Sequence, residues 1–479
     1  MGILACRNPV GQKCPTYILG LVRLSDQNLF HPPGSDEPAT QRSSMRRYVY
    51  GLLGAEISAT ARFCDQLIQV APLEHEDGLL LESVECHTKA VAKTIDELEL
   101  PADATDRTGL LLNGNFNASN DIQEMLQQVR AKMSAGTRLF SVLYSPYAHG
   151  LFRFANWLGI RKGELPSTFV TETELNSMLK LSGLEAVRIR PAIFLPIWIP
   201  LISWLVNTIL PAIPIINRLA IIWLVVVRAV RLPETTPSLS IVIPARNERG
   251  NLEAALQRMP TFATSDVEII FVEGNSTDGT WEEIQRLLKV YGHRWKLAAY
   301  QQAGRGKNDA VRLGFSKATG DLLTILDADL TMPPELLPRF YDAWRQGHGD
   351  FINGNRLVYP MENLAMRRLN LLGNKFFAKA LSYVLGIRVG DSLCGTKLLA
   401  RRDYERLVQW RAIFGEFDPF GDFELLFAAS ELALGTVDMP IRYRERTYGT
   451  TNISRFRDGW LLLKMTIYGF FRLRLGRSR

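Results

Sequence analysis

The chain has 479 residues, 47% hydrophobic and 22% charged, with 56 Lys and Arg against 49 Asp and Glu for a formal net charge of +7. These proportions exclude a disordered chain and a coiled coil, and the length allows two or three domains with ample core. The modest positive charge, with no nucleic-acid-binding motif beside it, fits an anionic substrate or an acidic membrane surface better than RNA or DNA.

The five cysteines (Cys6, Cys14, Cys64, Cys86, Cys394) are scattered and form no C-x-x-C. That argues against a disulfide framework or a zinc site and for a reducing compartment. The first residues lack the basic-then-apolar order of a secretory signal, and Met1-Gly2 followed by Cys6 makes no acylation motif.

Residues 1–105 read as a poorly defined N-terminal region. HPPGSDEPATQRSS (31–44) has the composition of a linker. Residues 58–69 have helical character, and 95–100 read as acidic and exposed. His75 and His87 stand among Glu74, Glu76, Glu82 and Glu85, but no known ligand spacing recurs, so a solvated acidic surface is expected.

A strand–helix rhythm occupies residues 106–232. Strands are expected at 109–112, 138–144, 187–190 and 221–227, with helices at 121–133 and 172–182, the latter ending at Gly183. This order is one half of a doubly wound sheet. SAGTRLFSVLY and TETELNSMLKLSGLEAVRIR resemble the C-terminal half of class I S-adenosylmethionine-dependent methyltransferases. That resemblance implies a glycine-rich strand-turn upstream to hold the methyl donor. The candidate, Gly51-Leu52-Leu53-Gly54-Ala55-Glu56, has the wrong spacing and no preceding strand, so a degenerate domain without cofactor is expected; the alternative is an active methyltransferase half in a bifunctional protein.

Residues 192–217 carry no charge and are long enough for a bilayer, which needs about 20 apolar residues. Pro191, Pro196, Pro200, Pro211 and Pro214 interrupt them. A broken helix, buried in protein or resting in a membrane interface, is expected rather than a span. RLPETTP (231–237) then reads as a linker.

From Leu239 onward, strands end in polar loops. The first leads into Pro244-Ala245-Arg246-Asn247-Glu248, the second into VEGNSTDGT (272–280), and a basic glycine loop, Gly304-Arg305-Gly306-Lys307, opens a helix suited to diphosphate. A buried strand at 322–326 ends in Asp327-Ala328-Asp329. Carboxylates at i and i+2 share one side of an extended segment, so this is either an Asp-rich turn or a hard-oxygen site for Mg2+ or Mn2+. The tail from 459 interleaves aromatic and basic residues, as an interfacial helix or a core helix with a basic end would.

SIVIPARNERGNL, VEGNSTDGT, GRGKNDAVRLGFSKATGDLLTILDADL, FINGNRL, DSLCGTKLLARRDY, GDFELLF and RTYGTTNISRFRDG, in that order, resemble the family 2 inverting glycosyltransferases, the dolichyl- and polyprenyl-phosphate sugar transferases among them. The resemblance implies an α/β fold of GT-A type over residues 238–479 and transfer of a sugar from a nucleotide-diphosphate donor. The expected acceptor is a polyprenyl phosphate at the cytoplasmic membrane face, with a saccharide hydroxyl as the alternative. By position it implies that Pro244, Ala245, Asn247, Glu248, Glu273, Lys307 and Asp327 line the nucleotide-sugar, and that Asp329 with Asp327 binds the metal. Asp422 or Glu424 would serve as base for a hydroxyl acceptor. Arg356, Arg446 and Lys397 would clamp phosphates. Thr331 stands where the lipid-phosphate enzymes often have Gln, and Gly274-Asn275 where the family has Asp-Gly.

Overall fold

Two of the expected apolar runs, Thr108–Asn113 (β3) and Arg138–Tyr144 (β4), lie side by side as buried parallel strands. They sit in a sheet completed by β1 (Gln66–Val70), β2 (Thr88–Ala92), β5 (Leu184–Ile193) and β6 (Ile222–Ala229). The structure, a computed structural model, describes residues 38–74, 76–100, 107–157, 166–360, 368–414, 421–446, 448 and 455–475.

The order of this six-stranded sheet is β2-β1-β3-β4-β6-β5. The last strand, β6, inserts antiparallel between β4 and β5, and all eight of its residues are buried. Its first six residues, 222–227, form the continuous apolar run expected of a strand covered on both faces, and Arg228 is buried in an ion pair.

The N-terminal region differs from expectation. Helix runs through Pro38–Ala61, whereas Gln66–Val70 is a strand, so the helix expected at 58–69 is corrected to a helix end, a turn and β1. β1 pairs in parallel with both β2 and β3. The described residues before 105 therefore belong to the same sheet as those after it. Within 95–100, Leu98 is 1% exposed, with Ile95 and Leu100 against the same core, so that stretch is acidic but not wholly exposed. His75 lies outside the described residues, as do 31–37 of the linker-like run.

The second sheet joins β7 (Leu239–Ala245), β8 (Val267–Glu273), β9 (Lys296–Gln301), β10 (Leu322–Ile325), β11 (Phe351–Asn355), β12 (Lys397–Ala400) and β13 (Thr436–Pro440) in the order β13-β11-β12-β10-β7-β8-β9. β10, β7, β8 and β9 are parallel, and β12 runs antiparallel between β10 and β11. Leu322, Leu323 and Ile325 are at most 2% exposed, as expected of a central strand. The parallel strands carry their loops to one edge, where open α/β sheets bind ligands.

Buried arginines join the two sheets. Arg138 Nη2 and Arg228 Nη1 reach the two oxygens of Asp350 at 2.7 and 3.2 Å. Arg188 donates to the Ser430 carbonyl and Arg190 to that of Leu473, both at 3.1 Å. Phe63 packs into the core of the second unit and Ala433 into that of the first.

Candidate active site

The loops after β7 and β8 are tied to each other. Asn247, at φ 55°, accepts the Thr277 amide on its side chain at 2.9 Å and gives its own amide to Ser276 Oγ at 3.0 Å. The Glu248 amide donates to Thr280 Oγ1 at 3.1 Å, and Gly274 donates to the Ala245 carbonyl at 2.9 Å. Pro244 and Ala245 end β7 beneath these ties. The Glu273 carboxylate accepts from the Ser276 amide at 2.5 Å and Gln301 Nε2 at 3.3 Å, so it braces its own loop. Asp278 accepts the Thr280 amide at 3.1 Å at the start of the helix Thr280–Tyr291.

Next to them, at the end of β10, the two aspartates take different partners. Lys307, the first residue of the helix Lys307–Lys317, places Nζ 2.5 Å from Asp327 Oδ1. Burial raises the Asp327 pKa, but the Lys307, Lys397 and Arg356 charges outweigh it and hold the carboxyl below its usual range. For Lys307 burial works downward, and the Asp327 and Asp422 charges more than reverse it, leaving the ammonium firmly protonated. Gly395 passes so close to this pair that a Cβ there would strike both Lys307 Nζ and the Asp327 carboxylate. A side chain would open the pair, so the position needs glycine.

Asp329 has its Oδ1 fixed by the Thr331 amide and hydroxyl at 3.1 and 2.8 Å. Its Oδ2 meets Arg446 Nη2 at 2.6 Å, and Nη1 of the same guanidinium lies 3.3 Å from Glu248 Oε1. Burial raises the Glu248 pKa, with Asn251 and Arg446 acting against it. Sequence reasoning treated Thr331 only as a departure from the family. A Thr two residues after an Asp at a strand end is a side-chain turn signal that could have shown its role.

Asp422 Oδ1 pairs with Lys397 Nζ at 2.7 Å, and Lys397 is fully buried. Lys397, expected to clamp phosphates, is a buried counter-charge to Asp422. Glu424 is 3% exposed at its side chain; Arg312, Arg411 (2.6 Å) and Asn308 (3.3 Å) hold its oxygens. Glu424, expected as one of two candidate bases, is thus ion-paired within the buried helix Asp422–Glu431. Arg356 is gripped from both sides, by Asp391 at 2.6 and 2.9 Å and by the Tyr443 ring at 5.2 Å. Arg312 and Asp391 lie inside the GRGKNDAVRLGF and DSLCGTKLLARRDY motifs, which do not by themselves mark them as ion-pair partners, and Arg411 lies outside every motif. Tyr448, from the RTYG motif, covers Gly250 and lies 3.5 Å from Asp278; Thr447 and 449–454 are outside the described residues.

Among the described residues no cluster of three or more His, Cys, Asp or Glu forms a preassembled metal site. Asp329 and Glu248, bridged by the Arg446 guanidinium, are the carboxylate donors there that could hold a hard cation.

Residues 240–408 match the family described as Glycosyl transferase family 2. Over 120 residues the chain is 36% identical to a dolichol-phosphate mannosyltransferase of Pyrococcus furiosus, covering 25% of this chain and 33% of that one. It is 27% identical over 215 residues to an undecaprenyl-phosphate 4-deoxy-4-formamido-L-arabinose transferase of Aeromonas hydrophila, with coverage of 44% and 61%. A dolichyl-phosphate hexose transferase of Haloferax volcanii is 28% identical over 225 residues, with coverage of 47% and 90%. The chain thus spans less than two thirds of the first two relatives. It carries a glycosyl transferase family 2 domain, on the α/β sheet that the sequence motifs required.

Proposed function

We propose that the glycosyl transferase family 2 domain moves a sugar, with inversion, from a nucleotide-diphosphate donor to a polyprenyl phosphate at a membrane surface. The observation that carries this reading is the paired arrangement of Asp327 with Lys307 and Asp329 with Arg446 at the carboxyl end of β10, beside the tied loops after β7 and β8. Relatives named for dolichyl and undecaprenyl phosphate acceptors support the acceptor class.

The reaction needs an acceptor oxygen to attack the anomeric carbon while the bond to the nucleoside diphosphate breaks on the opposite face. Asn247 and the Ala245 turn hold the base and ribose side of the donor, and Lys307 takes the charge that builds on the departing diphosphate. Asp327, kept ionised by Lys307, meets the ribose or sugar. Asp329 would hold a divalent cation, Mg2+ or Mn2+, with Asp327 and donor oxygens completing it; when bound, that ion neutralises diphosphate charge. Arg446 would then move from Asp329 to an anionic oxygen of the substrates, and Arg356 adds positive potential from its fixed seat.

The state of the two expected bases favours a phosphate acceptor over a saccharide hydroxyl. Glu424 lies between two arginines and Asp422 on a buried lysine, whereas a phosphate is already ionised and needs no base.

The first unit we read as a cofactor-free, methyltransferase-like remnant. Gly51 and Gly54 lie inside the helix Pro38–Ala61 and not in a strand-turn. At the end of β3, the Asn113 side-chain amide donates to Glu76 and to the Tyr50 hydroxyl.

Membranes containing the protein should transfer label from one member of a panel of nucleotide sugars into the lipid phase. Asp329→Asn should reduce that transfer at least about a hundredfold. Label entering a water-soluble saccharide instead would replace the acceptor, and unchanged transfer by the variant would sink the site.

A further inference from the structure

The short helix Ile202–Ile209 is sorted inside out. Its buried residues are Ser203, Asn207 and Thr208, while Ile202, Trp204, Leu205 and Ile209 are 43–52% exposed. A helix facing water shows the reverse pattern. The inward polar groups have a definite task. Ser203 Oγ donates to the Ile197 carbonyl and accepts the Ile199 amide, at 2.6 and 2.7 Å. Asn207 accepts the amides of Phe194 and Leu195, both at 2.9 Å, and donates to the Leu195 carbonyl and Tyr48 hydroxyl. Irregular backbone satisfied from within, with Trp, Leu and Ile turned outward, is what a low-dielectric surrounding selects.

The surface extends beyond this helix. Leu201 and Ile215 flank it at φ 61° and 73°, and are 65% and 82% exposed. Such backbone is costly for bulky residues. The helix packs against the C-terminal turn Phe470–Leu475, where Phe471 is 59% exposed, and that turn touches the helix Arg368–Leu385 with Phe376 at 56%. Charge is equally one-sided. Residues 186–233 contain no Asp or Glu, Arg218 among them is exposed, and exposed basic residues also stand beside the outlying aromatics, Lys375 and Lys379 on the helix of Phe376 and Arg472 next to Phe471.

We infer that residues 195–219, continued by Phe471 and Phe376, form a ledge that inserts into the interface of an anionic lipid bilayer. No helix among the described residues is long and apolar enough to cross a membrane, so the contact is one of lying in the surface. An apolar centre within a basic rim complements acidic headgroups around acyl chains. A second copy of the chain would bring the same basic rim against itself. The ledge deepens the reading above, by stating how the domain meets a lipid-borne acceptor, and rests on that reading for its purpose alone.

The test is flotation of the full chain with vesicles of phosphatidylcholine, alone or with phosphatidylglycerol, in the absence of donor and acceptor. The unmodified protein floats with the anionic vesicles. Trp204→Gln with Ile209→Gln, both at already exposed positions, lowers the partition by about tenfold or more. Arg218→Gln lowers it about fivefold, on anionic vesicles only. Failure of the unmodified protein to float overturns the ledge, as does equal flotation of the double variant. A dimer that the double variant turns into a monomer, with flotation unchanged, assigns the surface to a second copy instead. The sugar-panel assay is separate, so a negative flotation result leaves the glycosyl-transfer reading standing.

Discussion

Arg446 touches Asp329 and Glu248 with one guanidinium, so a cation held by Asp329, as proposed, would have to displace it. Two consequences oppose each other. Arg446→Ala removes the competitor and leaves the carboxylates less compensated, which tightens Mn2+ binding to the donor-free protein several-fold by calorimetric titration. The same change removes a positive group from the developing diphosphate charge, so transfer falls about 10- to 100-fold. Unchanged Mn2+ affinity would mean that cation and guanidinium do not share Asp329. Part of this arrangement was legible in the sequence. Asp327-Ala328-Asp329 and the glycine loop with Lys307 were legible because each is a short local motif. The partner of each aspartate was not, because Arg446 lies 117 residues beyond Asp329 and pairs only after folding.

At the level of elements, the helix Asp422–Glu431 shows what a motif cannot convey. Every residue of it is buried, so the two acids of its first turn, Asp422 and Glu424, had to find buried partners, in Lys397 from β12 and in Arg312 and Arg411 from neighbouring helices. Sequence pattern marked the acids as chemistry-bearing but could not tell a base from a brace. Glu424→Gln keeps the shape and removes the charge, leaving two arginines uncompensated. It should cost about 3 kcal/mol of stability, read as a lower Tm, while activity per folded molecule stays within about twofold; a true base would lose at least about a hundredfold. Activity lost without a change in Tm would restore Glu424 as the base. The strands were easier to read, since β4 and β10 are continuous apolar runs ending in polar loops. β1 was missed because QLIQV follows a long helix with only Arg-Phe-Cys-Asp between the helix and the strand, and short apolar runs do not declare their type.

Across the whole molecule, the two sheets were expected to be joined by a linker, yet their contact is a set of buried charges centred on Asp350. That carboxylate receives Arg138 and Arg228 from β4 and β6 and the Gly435 amide at 3.0 Å. Burial raises its pKa, but the two arginines outweigh burial and hold it below the usual carboxylate value. A carboxyl whose pKa is lower folded than unfolded stabilises the fold fully above its unfolded value, about 3.9. The contribution is lost as pH falls from there through the lower, folded value. Asp350→Asn leaves Arg138 and Arg228 facing each other without that charge and should cost about 3 kcal/mol at neutral pH. The gap in Tm between wild type and variant should therefore be constant from pH 7 to about pH 5 and narrow below about pH 4. It should narrow in differential scanning calorimetry of the full chain whether the units melt together or in turn. If the units are held mainly by this charge set, the variant should also split one transition into two, with the sheet of β7–β13 melting apart from that of β1–β6. A single transition with unchanged Tm would mean that apolar contacts such as Phe63 and Ala433 carry the junction alone. The ledge formed by residues 195–219 belongs to the first unit and the aspartates of the site to the second. A rigid junction is thus what would keep a bilayer contact and a lipid-phosphate site in register.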